Sequence, residues 1–191
     1  VGYFIGTGLG GGIIIENKLL TGNKGLAGEL GHAVIKAGGR RCGCGHRGCA
    51  EAYCSKKAFV KALKKEIFKC GMHSLLPVEK FNPETTNIKS KYLARAYNED
   101  DPAVRKVVDK GLRMLGIAAA STCAVIAPQC IVLGGGFVEA MGDQVIIPFK
   151  AAFNRHLFGI SPTDIEIRVS TLGDHAVAVG ATILARGNIR K

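Results

Sequence analysis

Cys42, Cys44 and Cys49 stand in the spacing C-x-C-x4-C, ten residues after His32. Three thiolates and one imidazole make the donor set of a closed tetrahedral zinc site. Such a site supplies on the order of 10 kcal/mol of folding free energy, so it dictates the local chain path. Gly43, Gly45 and Gly48 let the backbone turn tightly around a metal without a Cβ clash. His46 lies inside the same loop and competes with His32 for the fourth position, and spacing alone leaves both open. Glu29 and Glu51 flank the two halves of the loop. Zinc needs neither, and a metal knot that holds two carboxylates side by side is a scaffold for a polyhydroxylated ligand. A zinc staple with two solvated glutamates is the plainer alternative.

Two glycine clusters stand outside this loop. Gly6-Thr7-Gly8-Leu9-Gly10-Gly11-Gly12 formally contains G-x-G-x-x-G, but Ile13-Ile14-Ile15 follows it as strand, where a dinucleotide fingerprint requires a helix. A glycine turn between strands instead exposes consecutive backbone N–H groups, a nest for phosphate oxygens built from Gly6, Gly8 and Gly10, with the Thr7 hydroxyl as a further donor. Gly134, Gly135 and Gly136 follow an apolar run, Cys130–Leu133, and precede a helix, where a flat ligand approaches the sheet edge closely.

The pattern between these landmarks is α/β. Val1–Ile5 reads as a strand, Gly6–Gly12 as a turn, and Ile13–Glu16 as a strand that turns at 16–18 into Leu19–Thr21. Ala33–Ile35 is another short strand candidate. Ser55 is a plausible N-cap for a Lys-rich helix reaching Lys69, and residues 71–90 are loop-like. Asp101-Pro102 opens the longest helix, whose apolar stripe runs from Val104 to Ile126. A strand at Cys130–Leu133, a helix near 143–157, a strand at Ile165–Val169 and a helix near His175–Arg186 complete the order. With the zinc loop and its helices set aside as an insertion at about 28–100, the order is β-β-β-α-β-α-β-α: a mixed sheet flanked by helices in one lobe spanning 1–191.

The 191 residues suit one sizeable domain or one lobe of a larger protein, and 47% hydrophobic content suffices for a core. No stretch is long and uncharged enough to span a membrane, and no signal-peptide succession opens the chain. Of seven cysteines, three belong to the metal motif. Cys54, Cys70, Cys123 and Cys130 are expected as buried thiols, and reduced thiols beside zinc point to the cytoplasm. The net charge of +11 raises nucleic acid as a partner. Its densest source is Lys56, Lys57, Lys61, Lys64, Lys65 and Lys69, which read as the solvated face of an amphipathic helix. No aromatic residues interleave with the charges to stack bases.

Gly28-Glu29-Leu30-Gly31-His32 together with Cys42-Gly43-Cys44-Gly45-His46-Arg47-Gly48-Cys49-Ala50-Glu51 resembles the double signature of the ROK family of sugar kinases and repressors. The Ile5–Gly12 segment is similar to its second phosphate loop, and Ile131–Gly136 to its adenosine-side loop. The resemblance covers nearly the whole chain. It implies an actin-like (ribonuclease H-like) lobe, with zinc held by His32, Cys42, Cys44 and Cys49 and His46 a bystander. It also implies that Glu29, His32 and Glu51 face the hydroxyls of a hexose substrate, while ATP with Mg2+ binds between two lobes.

The family's amino-terminal lobe carries a first phosphate loop and an Asn-Asp pair whose aspartate is the general base. No motif here matches it, so no catalytic base is carried over. Residues 1–191 alone are expected to be inactive, the missing lobe belonging to a longer protein or to another polypeptide. The expectation is the carboxyl-terminal lobe of an ATP-dependent hexose kinase, with glucose as the hexose, acting as a homodimer. The rival is the sugar-sensing lobe of a ROK-type repressor, for which nucleic acid is a partner through a separate helix-turn-helix. A third reading is a non-catalytic dimerisation lobe with the apolar helix at 102–126 as its interface, although core packing explains that stripe equally well.

Overall fold

The computed structural model describes residues 1–77 and 79–189. Its strands are β1 (Gly2–Ile5), β2 (Leu9–Gly12), β3 (Ile14–Ile15), β4 (Lys18–Leu19), β5 (Cys130–Gly134) and β6 (Glu166–Val169). Its helices are α1 (Lys56–Lys64), α2 (Ser90–Asn98), α3 (Pro102–Ile126), α4 (Gly136–Met141), α5 (Ile146–His156) and α6 (Ala176–Ile189). The main sheet runs β2-β1-β5-β6, with β1 antiparallel to β2 and parallel to β5, and β5 parallel to β6. The sheet is therefore mixed. Among the described residues no helix is long and apolar enough to cross a membrane.

The three-strand meander is not realised in this sheet. Leu9–Gly12, expected as part of a turn, pairs residue for residue with β1, so the turn shrinks to Gly6–Gly8. Glycines extend readily when a partner strand supplies the hydrogen bonds. The isoleucine run then leaves the sheet, and β3 pairs only with β4 in a separate two-stranded ribbon. Ala33–Ile35 forms no strand, and Val34 makes a single bridge to Cys49. The chain there is closing on the metal loop rather than on a sheet edge.

The long helix is α3. The Asp101 carboxylate accepts from the Val104 N–H at 2.8 Å, and Pro102 occupies the first turn, where its missing N–H costs nothing. Ala127 ends the helix in the left-handed conformation. Its apolar stripe is spent inside the molecule, on the core shared with the sheet and α5. Gly116 makes this possible, since a Cβ there would meet the Phe149 carbonyl and the Phe153 N–H of α5. Tyr3 faces the same layer and hydrogen-bonds Thr122 of α3 at 2.8 Å.

Ser55 caps α1 by accepting from the Ala58 N–H at 3.1 Å. The helix does not continue as α to Lys69, because residues Lys65–Lys69 form a π turn. Cys54 and Cys123 are buried as expected, whereas Cys70 is exposed. It follows the π turn, where the helix ends and its side chain leaves the packed layer.

Candidate functional site

Two short 3-10 turns carry the acidic residues. Leu30–His32 follows Glu29, Ala50–Ala52 contains Glu51, and the turns pack together, tied by the Ala50 N–H to the Ala33 carbonyl at 3.0 Å. Gly31 is obligatory in this packing, since a Cβ there would meet the Leu9 carbonyl of β2. Glu29 and His32 are exposed, while Glu51 is half-buried.

His32, Cys42, Cys44 and Cys49 bring one donor atom each into a cluster in which all lie within 4.8 Å of one another. Cys44 Sγ lies 3.7 Å from Cys49 Sγ, and Cys42 Sγ 3.8 Å from His32 Nδ1. Zn–S bonds of about 2.3 Å set tetrahedral sulfurs about 3.75 Å apart, so the cluster fits zinc in chemistry and in dimension. His46 stays outside that cluster, with its Nδ1 3.7 Å from Cys44 Sγ alone. The donors differ in acidity. The backbone N–H and side chain of His46 bring the Cys44 thiol down to about 6, while burial pushes Cys42 and Cys49 up.

Glu51 joins the metal loop to the glycine hairpin. Its Oε2 accepts from the Leu9 N–H at 3.1 Å, and its Oε1 accepts from the Cys42 thiol at 3.5 Å. A Cβ on Gly8 would meet the same Oε2. The carbonyls of Gly6 and Thr7 accept from the Lys56 and Lys57 N–H groups at 3.0 and 3.3 Å, clamping the turn onto the start of α1. These contacts were not foreseen. They involve backbone atoms, and the sequence hints at them only through the glycine at position 8 and the cap at Ser55.

The second glycine cluster reaches the same edge. β1 and β5 run parallel, with Phe4 opposite Gly134, so the Gly6–Gly8 turn and the Gly134–Gly136 segment both leave the carboxyl ends of adjacent strands. Gly135 has φ +89°, and a Cβ there would meet the Ile5 backbone. Gly6, Gly10 and Gly136 face open space instead. Seven glycine and threonine positions far apart in sequence thereby converge on one edge, with Thr7 exposed. Open backbone at the carboxyl ends of parallel strands is where nucleotides dock in open α/β sheets.

The family model for ROK matches residues 1–188. The chain belongs to the ROK family. This ROK chain is 32% identical over 183 residues to a glucokinase of Streptomyces coelicolor, covering 95% of the chain and 57% of that protein. It is 29% identical to a xylose repressor of Caldicellulosiruptor bescii, covering 92% of the chain and 43% of the repressor. In structure it matches a ROK glucokinase of Streptomyces griseus, solved with glucose and AMPPNP, at TM-score 0.82 and 32% identity, over 97% of the chain and 60% of that enzyme. The ROK chain thus spans about half the length of the curated relatives it matches.

Proposed function

We propose that this chain is the sugar- and phosphate-binding lobe of an ATP-dependent ROK hexose kinase with glucose as acceptor. The observation that carries the proposal is the hydrogen bond from the Leu9 N–H to Glu51. It fixes a carboxylate suited to sugar hydroxyls against a hairpin whose glycine backbone suits phosphate. The similarity to glucokinases, one of them solved with glucose and an ATP analogue, supports the same reading.

In this proposal Glu29 and Glu51 accept hydrogen bonds from hexose hydroxyls, each carboxylate able to take more than one, and His32 lies on the same side. Backbone N–H groups of Gly6, Gly8 and Gly10, with Thr7, meet ATP phosphate oxygens, and Gly134–Gly136 border the adenosine side. His32, Cys42, Cys44 and Cys49 hold zinc, which fixes the loop that carries Glu51. Phosphoryl transfer proceeds through a loose transition state, so positioning and charge stabilisation are the lobe's contribution. ATP brings Mg2+, and no residue of 1–191 is assigned to that ion. The general base lies outside residues 1–191, and so does the other half of the ATP clamp. Catalysis therefore requires an amino-terminal lobe, and a homodimer of the two-lobe protein belongs to the same proposal.

The similarity to a xylose repressor favours one alternative, a sugar-sensing lobe. A coupled ADP-release assay decides, using residues 1–191 joined to an amino-terminal ROK lobe and offered glucose, N-acetylmannosamine or fructose. Turnover with glucose is expected. Sugar binding without turnover on any of the three would leave the sensor.

A further inference from the structure

The Lys-rich segment does more than present a solvated face. It forms one wall of a cavity of about 430 Å³, whose other wall is the start of the metal loop. Arg40, Arg41, Lys61, Lys64, Lys65 and Lys69 surround it, over a floor of Ala52, Ala58 and Ala62. None of these six cations forms an ion pair among the described residues, where the salt bridges involve Arg95, Arg105, Lys106 and Arg168. Glu66, the acid nearest in sequence to Lys65, is turned to Lys106 at 2.7 Å.

Two features organise the charges. The Arg40 guanidinium lies 5.0 Å from the centre of the Tyr53 ring and donates to the Ala52 carbonyl at 3.5 Å, while its backbone N–H donates to the Tyr53 hydroxyl at 2.8 Å. The π turn arranges the opposite wall. An α-helix rotates successive i, i+4 positions by about 40°, which would carry Lys69 around the helix from Lys61. The wider π turn at Lys65–Lys69 cancels that drift, and Lys61, Lys65 and Lys69 line one groove. Single π turns of this kind concentrate at functional sites.

We propose that this groove binds a small ligand carrying at least two phosphate groups, at a site separate from the glycine loops. Its volume is that of a small-molecule site. Six like charges around it are held together against their mutual repulsion, which a single negative charge would leave largely uncompensated. The alanine floor accepts a carbon skeleton, and the groove's lining holds no aromatic ring for stacked bases. A neighbouring cavity of about 150 Å³ shares Arg41, Ala52, Ala58 and Lys61 with the groove and is also lined by Glu51, the carboxylate assigned to sugar.

Calorimetric titration of the full chain with sodium tripolyphosphate and with fructose bisphosphate tests this. Binding of either is expected, and the tighter of the two identifies an inorganic or an organic source. The exposed triple substitution Lys61→Gln, Lys65→Gln and Lys69→Gln should weaken it by about tenfold or more. Lys18→Gln, Lys24→Gln and Lys150→Gln, equal in charge lost but remote from the groove, should leave it within about twofold. Binding of neither ligand overturns the proposal. So does equal loss in the two triple variants, and so does binding that survives the groove variant, which would put the phosphate on the glycine loops.

Discussion

Glu51 accepts a hydrogen bond from the Leu9 N–H at 3.1 Å, with Gly8 so close that any Cβ there would collide with the carboxylate. The collision falls on the free end of a side chain, which can swing aside at little cost in stability. Gly8→Ala should therefore keep the melting temperature within a few degrees while pulling Glu51 from its place. Glu51→Gln removes the charge and leaves the size. In a two-lobe protein both should weaken glucose binding by about 1–3 kcal/mol in calorimetry. Unchanged affinity in both variants would place the sugar elsewhere.

The donor cluster predicts one zinc per chain. Cys42→Ser should lose the metal in elemental analysis and lower thermal stability sharply, because metal binding free energy is folding free energy in such loops. His46→Ala should keep the metal, since its ring stands outside the four-donor cluster. Metal loss in His46→Ala would transfer the fourth position to that residue.

Asp101 is fully buried and accepts from Val104 N–H at 2.8 Å, Ser74 Oγ at 2.6 Å and Leu75 N–H at 2.5 Å. One carboxylate thus caps α3 and anchors the loop before α2. Asp101→Ala should cost about 2 kcal/mol in urea unfolding. Asp101→Asn keeps an acceptor for Val104 and should cost less. Equal losses would show that the charge, not the cap, matters.

Alkali should destabilise the fold. Burial raises the hydroxyls of Tyr3 and Tyr97 to about 12 from 10.0. Each tyrosine is raised in the folded state, so the unfolded chain ionises first and holds fewer protons. Their contribution is complete below pH 10 and is lost as pH climbs towards 12. The urea midpoint should fall across that window, and less steeply in Tyr3→Phe. A Tyr3→Phe slope identical to that of the parent would remove Tyr3 as a source.

Features encoded by neighbouring residues were legible in the sequence. Asp101-Pro102 announces α3 because a cap and a first-turn proline act within four residues. The three thiols of the Cys/His cluster announce themselves by chemistry and spacing, whereas His32 is singled out from His46 only by the family resemblance. The second and third strands of the expected meander, Ile13–Glu16 and Leu19–Thr21, fall outside the main sheet because a strand is defined by its partner. Ile14 and Ile15 have strand propensity, but their partner is a two-residue ribbon, and Val34 finds only Cys49. The Leu9–Glu51 bond was hidden for a similar reason. It joins a backbone amide to a side chain 42 positions away, and no residue type records that meeting.

The sheet sets a schedule for synthesis. The Val1 nitrogen donates to the Cys130 carbonyl at 2.9 Å, 129 positions later, at the start of the parallel β1–β5 pair. At roughly 5–20 residues per second, β1 leaves the ribosome about 6–26 s before the strand that will flank it. Through that interval the β1–β2 hairpin must survive with one edge bare. The Cys/His loop emerges early in the wait, and it carries Glu51, whose bond from the Leu9 N–H ties the loop to the hairpin. Under the proposed zinc assignment, metal supply during translation, and not only in the finished protein, is expected to govern how much of this lobe reaches its native state.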